Sequence, residues 1–588
     1  MRLPLLGLAA AALLTGTVSP AVASPTPPTT AQVTVVSTSD LHGHVHNWDY
    51  YTNGEYDDAA HNDVGLAKAA TLVRRIRAER GARNTLLLDS GDTIQGTPMA
   101  YYYAKVEPIT KTGATHPMAA AMNALGYDAI TLGNHEFNYG LPHLATWVDQ
   151  LRAPVLAANA VNAAGPLAGL PAYRPFVLKR IPVKGAPPVT VGVLGLTNPG
   201  VAVWDKAHVA GKLRFLDLVE TARKWVPVLK RAGADVVVVS AHAGDNGVSS
   251  YGRELPIENA SAMVAEQVPD IDAVVFGHAH VDVGQRFVTN RVTGRQVVLS
   301  EPSKYGQRLS VVDLKLARDG WRWQVTGSSA RTLNTNTVAE DPKVAASVRR
   351  QHARTVKYVN QVVAESSTEL SAAKSRYLDT PIVDYIQQVQ TEAVRRALAG
   401  GQYADLPVIS STAPFSRTAR IPAGRVSVRD LAALYPYDNT LKAVVLTGAQ
   451  LRDYLERSAR YFVQTPAGAP VDPEKLTGAG GEPDYNYDTL TGVEYDLDVA
   501  RPAGQRVVAL RYAGRPVAAG DRFVVALNNY RQSGGGNFPH VATAPVVYDA
   551  QTEIRQALID YAASVGTIDP ARFAVVNWRL VRDGVPVF

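Results

Sequence analysis

Short runs of aliphatic and β-branched residues recur along the first half of the chain, and each ends in a polar residue. Residues 33–36 (VTVV) lead to Asp40 and His42, 86–88 (LLL) to Asp89 and Asp92, and 129–132 (AITL) to Asn134 and His135. Residues 236–239 (VVVV) lead to His242, and 273–276 (AVVF) to His278 and His280. Continuous apolar runs of this length fit strands buried on both faces. Helical patterns over 66–79 and 216–231 lie between several of them, the alternation expected of an α/β sheet. Functional residues of such sheets collect at the carboxyl ends of the strands. Five polar strand ends therefore predict one shared site.

The texture changes over 320–341, a Thr/Ser/Asn-rich stretch expected to connect to a second domain, and a long helix is predicted over 341–363. Strand and helix patterns resume at Val408 and run through 441–446 (LKAVVL) to 523–527 (FVVAL). The Pro-, Gly- and Asp-rich stretch 465–487 is expected to be an extended surface loop. The resulting division is a leader at 1–23, a disordered spacer at 24–32, a first domain at 33–337, a linker helix at 338–365 and a second domain at 366–588.

Composition narrows the chemistry. The 588 residues are 46% hydrophobic and 19% charged, enough to bury real cores and too apolar for wholesale disorder. A net charge of +6 is mild for this length, so no nucleic-acid duplex is expected as a partner. Cysteine is absent, which excludes disulfides, thiolate zinc sites, iron–sulfur clusters and a catalytic thiol. Any metal must be held by nitrogen and oxygen donors. Arg2, the apolar run 3–14 and Ala21-Val22-Ala23 make a signal-peptide pattern. That run is too short to span about 30 Å of hydrocarbon, and no later stretch is long and apolar enough to do so. Export, with release or retention at the cell wall, is the expectation.

The strand-end residues form an ordered set: Asp40-x-His42, Gly91-Asp92, Gly133-Asn134-His135-Glu136, His242 and Gly277-His278-Ala279-His280. Five of the 13 histidines lie in it, and the donors suit divalent Zn, Mn, Fe or Co. In this set the chain resembles the calcineurin-like metallophosphoesterases. The resemblance implies a four-layer sandwich, with helices on two packed β-sheets, and two divalent metal ions bridged by Asp92. Metal one would take Asp40, His42 and His280; metal two would take Asn134, His242 and His278. His135 would stand beside the phosphorus without binding metal. His44 and His46 are expected to be solvated loop residues near the cleft, and Glu136 a supporting group.

Two segments of the second half, 435–440 (YPYDNT) and 528–539 (NNYRQSGGGNFP), place aromatics among turn-forming Asn and Gly. Two such rings can clamp a flat base; simple packing of loop aromatics would leave the same pattern. Both segments resemble the nucleoside-binding loops of the secreted 5′-nucleotidase superfamily, and most of all its 2′,3′-cyclic-nucleotide 2′-phosphodiesterase/3′-nucleotidase branch. Further matches are 49–51, 204–206, 411–415, 485–488 and Gly492-Val493. By this resemblance a smaller C-terminal α/β domain binds the nucleotide, with Tyr437 and Tyr530 sandwiching the base. Two departures argue against a 5′-phosphate specialist. Asn138 stands where 5′-nucleotidases carry the Asp of G-N-H-E-F-D, and 410–415 (SSTAPF) replaces their arginine-bearing N-x-G-G-x-R motif. The expectation is an exported, monomeric hydrolase that opens 2′,3′-cyclic nucleotides and then removes the 3′-phosphate. The alternatives are a 5′-nucleotidase or UDP-sugar hydrolase on the same metals and, more remotely, a non-catalytic surface binding protein.

Overall fold

The computed structural model describes residues 29–163, 172–251, 254–466, 468–550 and 552–588. The predicted leader lies outside them. In the first half, two six-stranded sheets pack face to face. One runs in the order Arg322–Asn334, Arg308–Asp319, Thr30–Thr38, Thr85–Asp89, Ala129–Thr131, Val155–Leu156. The other runs Asp282–Thr289, Gln296–Pro302, Ala273–Phe276, Val236–Ala241, Ala186–Leu196, Phe176–Val183. The central strands of each are parallel.

Side-chain alternation builds the layers. Val33, Val35, Leu86 and Leu88 face the other sheet's Val191, Val236, Val238 and Val275. Val36 and Leu87 point outward onto helices Leu66–Arg80 and Pro117–Leu125. Val237 and Val239 cover Leu218–Arg231 and Ser261–Gln267 on the opposite side. The predicted four-layer sandwich is the observed one.

Three expectations about the joins need correction. Residues 30–32 belong to the first strand, because Thr30–Gln32 pair with Ala317–Lys315; the spacer ends sooner than composition suggested. Most of the Thr/Ser/Asn-rich stretch is also a strand, Arg322–Asn334, paired along its length with Arg308–Asp319. It is an edge strand, where hydroxyl-rich faces are compatible with pairing. The long helix is two helices, Pro342–Ser347 and Arg349–Val359, broken at Val348 (φ −120°, ψ 10°). The next strand, Val362–Ser366, starts at once. Val344 and Val348 are buried in the first domain's core, while Tyr358 packs against the cores of both domains. The break lets one face serve each half.

The second half centres on a five-stranded sheet in the order Thr489–Thr491, Val408–Thr412, Arg522–Asn528, Leu441–Thr447, Val546–Tyr548. Helices Pro381–Leu398 and Ile554–Val565 cover one face and Gly448–Ser458 the other. The described residues of the predicted surface loop 465–487 stay at the surface, mostly exposed or half-buried, but are not simply extended. The loop carries three short helical turns, Leu476 and Tyr487 are buried, and Tyr487 stacks on Tyr461 at 4.6 Å. Its Pro and Gly content marks turns at the surface. Among the described residues, no helix is long and apolar enough to cross a membrane.

The two halves meet through Asp438. Its Oδ2 accepts from Gln95 Nε2 and from the Tyr139 hydroxyl, both at 2.7 Å, and its Oδ1 accepts from Arg555 at 2.6 Å. Gln95 and Tyr139 flank the two loops that carry Asp92 and His135.

Candidate active site

Strand ends bring the predicted residues to one place. Asp40, His42 and His280 form one group with their donor atoms within 4.8 Å of one another, and Asp92, His242 and His278 form a second. Asp92 joins the groups: its Oδ2 lies 2.9 Å from His242 Nε2, 3.9 Å from His42 Nε2 and 4.0 Å from His135 Nε2. Asn134 Oδ1 is buried and has no hydrogen-bond partner among the described residues. An orphaned acceptor beside two donor clusters is what a cation site requires.

The backbone is strained to achieve this. Asp40, His42, Asp92, His278 and His280 all have left-handed φ, between 45° and 81°, a conformation costly for residues with a Cβ and concentrated at functional sites. The motif glycines follow from the crowding. A Cβ on Gly133 would strike the Asp92 carboxylate, and one on Gly277 would strike Ser39 and Asp40.

Outer partners fix the imidazoles. The Nδ1 atoms of His42 and His242 donate to the carbonyls of Gln95 (3.0 Å) and Ser90 (2.8 Å). A carbonyl can only accept, so each Nδ1 carries a proton and each Nε2 is directed inward as the atom free to ligate. His278 is held the other way round, with Nε2 2.7 Å from buried Glu258, which leaves its Nδ1 for the site. Glu136 accepts from the backbone N–H groups of Asp92 (2.9 Å) and Gly133 (2.6 Å), tying the two loops together, as expected of a supporting group.

Charges are tuned by burial and by each other. Burial raises Asp40, but the bond to His280 and the charges of His280 and His242 outweigh it and hold the carboxyl below its usual range. Burial pulls His42 down to about 3. His242 is also penalised by burial, yet adjacent Asp92 lifts it to about 10. A cluster with this balance of carboxylate and imidazole suits cations.

His44 and His46 are half-buried and partnered, less solvated than expected. His44 stacks on Tyr305 at 4.3 Å, and burial pulls it down to about 4. His46 pairs with Glu340 at 3.0 Å. Both help pack the loop after Asp40-x-His42 against the Tyr305 turn and the chain entering the linker.

His135 donor geometry is clear: Nδ1 lies 2.6 Å from Asn138 Oδ1. Tyr437 and Tyr530 lie on the facing domain. Tyr485 meets both edge-on, at 6.2 Å and 6.5 Å between ring centres, and Phe415 flanks Tyr437 at 5.4 Å. The pair thus comes with a third ring between their edges. Burial, then the neighbouring phenols of Tyr485, Tyr305 and Tyr530, push the Tyr437 hydroxyl up. Tyr305 in turn sits edge-on to His42 at 5.7 Å. Glu258, the partner of His278, acts in the same way on Tyr485 and Tyr530. Tyr437 adjoins Asp438, which bonds Gln95 and Tyr139 beside the Asp92 and His135 loops, so the aromatic cluster lies at the same domain junction as the metal-type clusters.

Beneath the aromatics, fully buried Arg531 makes two bonds to Asp488 (2.9 and 2.8 Å), donates to the Tyr485 carbonyl (2.8 Å), and stacks 3.9 Å over Phe538. Glu258, Gln95, Tyr305, Asp205 and Tyr485 are contributors that sequence reasoning did not single out. Tyr485 and Asp205 at least lie in matched segments; nothing local marks Glu258.

Comparison with known proteins agrees with this arrangement. The calcineurin-like phosphoesterase model matches residues 33–282, and the 5′-nucleotidase C-terminal domain model matches 361–543. The chain is 34% identical to a 2′,3′-cyclic-nucleotide 2′-phosphodiesterase/3′-nucleotidase of Haemophilus influenzae, over 93% of this chain and 87% of that protein. It is 33% identical to the trifunctional nucleotide phosphoesterase protein YfkN of Bacillus subtilis, over 95% of this chain but about 40% of that longer protein. A crystal structure from Staphylococcus aureus, provisionally described as a 5′-nucleotidase, superposes with a TM-score of 0.74 at 26% identity, covering 94% of this chain and 100% of that one. Two domain types in this order, with relatives matched nearly end to end, place the chain among the calcineurin-like metallophosphoesterases that carry a 5′-nucleotidase C-terminal domain, in the family of the 2′,3′-cyclic-nucleotide 2′-phosphodiesterase/3′-nucleotidases, and make it a metal-dependent phosphoester hydrolase.

Proposed function

We propose that the protein opens 2′,3′-cyclic nucleotides to 3′-nucleotides and then removes the 3′-phosphate, releasing nucleosides outside the cell. The observation that carries this reading is the domain junction at Asp438, which brings the aromatic rings of one domain next to the loops that hold two donor clusters on the other. The domains 33–337 and 366–588 would then each hold one part of the substrate. Asp40, His42 and His280 would hold one ion, Asn134, His242 and His278 the other, and Asp92 both. When bound, two such ions supply a water of lowered pKa and neutralise the phosphoryl oxygens.

The chain's own residues do the rest. Tyr437 and Tyr530 hold the base, which aligns the phosphorus with the clusters. His135 presents its Nε2 toward the cleft and gives a proton to the oxygen that leaves phosphorus. In the first step water oxygen joins phosphorus, the P–O2′ bond breaks and O2′ takes the proton. In the second, a further water oxygen joins phosphorus, the P–O3′ bond breaks, O3′ takes the proton and inorganic phosphate departs. The 410–412 segment favours this over a 5′-nucleotidase. It is buried and committed internally, with Ser411 bonded to Asp488 at 2.9 Å, and offers no cation to a 5′-phosphate. The signal-peptide pattern and an enzyme that works on charged nucleotides, which cross membranes poorly, support export of the monomer.

A panel of 2′,3′-cyclic, 3′- and 5′-nucleotides with Mn²⁺ or Zn²⁺ tests the reading. The first two are expected to be turned over well and the third poorly; preference for the 5′ isomer would replace this reading with the 5′-nucleotidase one. Tyr437→Ala and Tyr530→Ala are each expected to raise KM for nucleotides by one stacking face, about 1–3 kcal/mol. Hydrolysis of p-nitrophenyl phosphate, which has no base, should hardly change. Equal losses on both substrates would assign the tyrosines to packing.

A further inference from the structure

We propose that Asp205 is a positioning residue for His135, acting through the amide of Asn138. Asn138 Oδ1 faces His135 Nδ1 at 2.6 Å, and Asn138 Nδ2 donates to Asp205 Oδ1 at 2.9 Å. The three groups form one chain across two segments 67 residues apart in sequence.

The need for the third member follows from the second. A carboxylate at position 138 would accept the imidazole Nδ1–H whichever way it turned. A carboxamide has a donor end and an acceptor end of nearly the same shape. Turned the wrong way, it would offer N–H to Nδ1, move the imidazole proton to Nε2 and point the wrong tautomer at the cleft. An acceptor on the far side decides the matter. Asp205 is acceptor toward Asn138, so the NH₂ end turns to it and the carbonyl end is left for His135. That keeps the proton on Nδ1 and Nε2 bare until it is charged for donation.

The setting of Asp205 fits this role better than a structural one. It joins helices Val201–Trp204 and Lys206–Val209, yet its side chain makes no capping bond to the helix that follows. It is 5% exposed, and its second oxygen has no hydrogen-bond partner among the described residues. Burying a carboxylate with one oxygen unpartnered is unfavourable, and the bond its other oxygen makes is the one to Asn138. Its neighbour Trp204 stacks on His278 at 5.7 Å and 27°. One short segment thus braces both the proposed acid and one of the clustered imidazoles.

The inference rests on the role proposed above for His135, and the experiment separates the two. Turnover is compared on a 3′-nucleotide, whose leaving alkoxide needs a proton, and on p-nitrophenyl phosphate, whose leaving phenolate hardly does. Asp205→Ala is expected to lower kcat on the nucleotide about 10–100-fold, the scale of an outer partner of an active-site histidine, with KM within about twofold. Loss on p-nitrophenyl phosphate should stay within about threefold, with metal content unchanged, since the scaffold and clusters are intact. Asn138→Asp in the Asp205→Ala background should regain most of the nucleotide activity, because a carboxylate at 138 needs no orienting partner. In ¹⁵N spectra of histidine-labelled, zinc-loaded protein, His135 should hold its proton on Nδ1 in the wild type and lose that preference in Asp205→Asn, an isosteric change that keeps the fold. Unchanged kcat in Asp205→Ala, equal losses on both substrates, or no recovery in the double variant would overturn the proposal. If His135→Ala itself lost both substrates equally, the acid role would fail instead. No nucleotide turnover by the wild type would fail the substrate reading.

Discussion

Asp92→Ala is expected to abolish stoichiometric binding of two divalent ions and to lower turnover at least about a thousandfold, more than the loss of a single charge-stabilising donor. The carboxylate reaches both donor clusters and lies within 4.0 Å of three imidazole nitrogens. It also accepts the His135 backbone N–H at 2.7 Å through its other oxygen, so its removal loosens the loop of the proposed acid as well. His135→Ala gives the contrast. It should retain both ions, because the residue belongs to neither cluster, while kcat falls about 10²–10⁴-fold, the worth of a positioned general acid. Metal analysis of the purified variants decides between these outcomes. Two ions retained in Asp92→Ala, or none in His135→Ala, would mean that the division between metal holders and acid is wrong.

Arg531→Met is expected to destabilise the second domain by about 3–5 kcal/mol, the cost of leaving one partner of a buried ion pair alone. Both members are almost fully buried, and Asp488 would keep only the hydroxyls of Tyr454 and Ser411. The same arginine donates to the carbonyls of Tyr485 and Gly535 and lies against Phe538. Its loss should therefore free the loop that carries Tyr530 and raise KM for nucleotides alongside the fall in melting temperature. Adding Asp488→Asn should recover part of the stability, because it removes the orphaned charge, without restoring KM. A variant that melts lower yet binds nucleotides as before would show that the aromatic cluster is held by other contacts.

The site was legible in the sequence for a local reason. Each parallel strand must be apolar along its length and must end where the sheet opens to a crevice. Asp40, Asp92, Asn134, His242 and His278 each follow such a run within a few residues, so residue type and position appear together. The α/β alternation and the division into two domains were legible in the same periodicity and its interruption, whereas the four-layer sandwich came from the family resemblance. Glycine beside these residues was visible too, although only the structure shows that Gly133 and Gly277 yield space to the Asp92 and Asp40 carboxylates.

What the sequence could not show are relations between distant segments that leave no local trace. Glu258 against His278, Asp438 against Gln95 and Tyr139, and Asp205 against Asn138 are hydrogen bonds between side chains 20 to 343 residues apart. His44 and His46 were misjudged because a polar residue in a loop looks solvated until the covering Tyr305 turn and Glu340 are in place. The linker's break and the strand in the Thr/Ser-rich stretch have the same origin. Composition sets what a segment can pair with, and the neighbouring strand or core decides whether it does. The chain by itself determined the strand-end donors and their order; the tertiary structure decided which partners orient them and joined the second domain to their loops through Asp438, next to Tyr437.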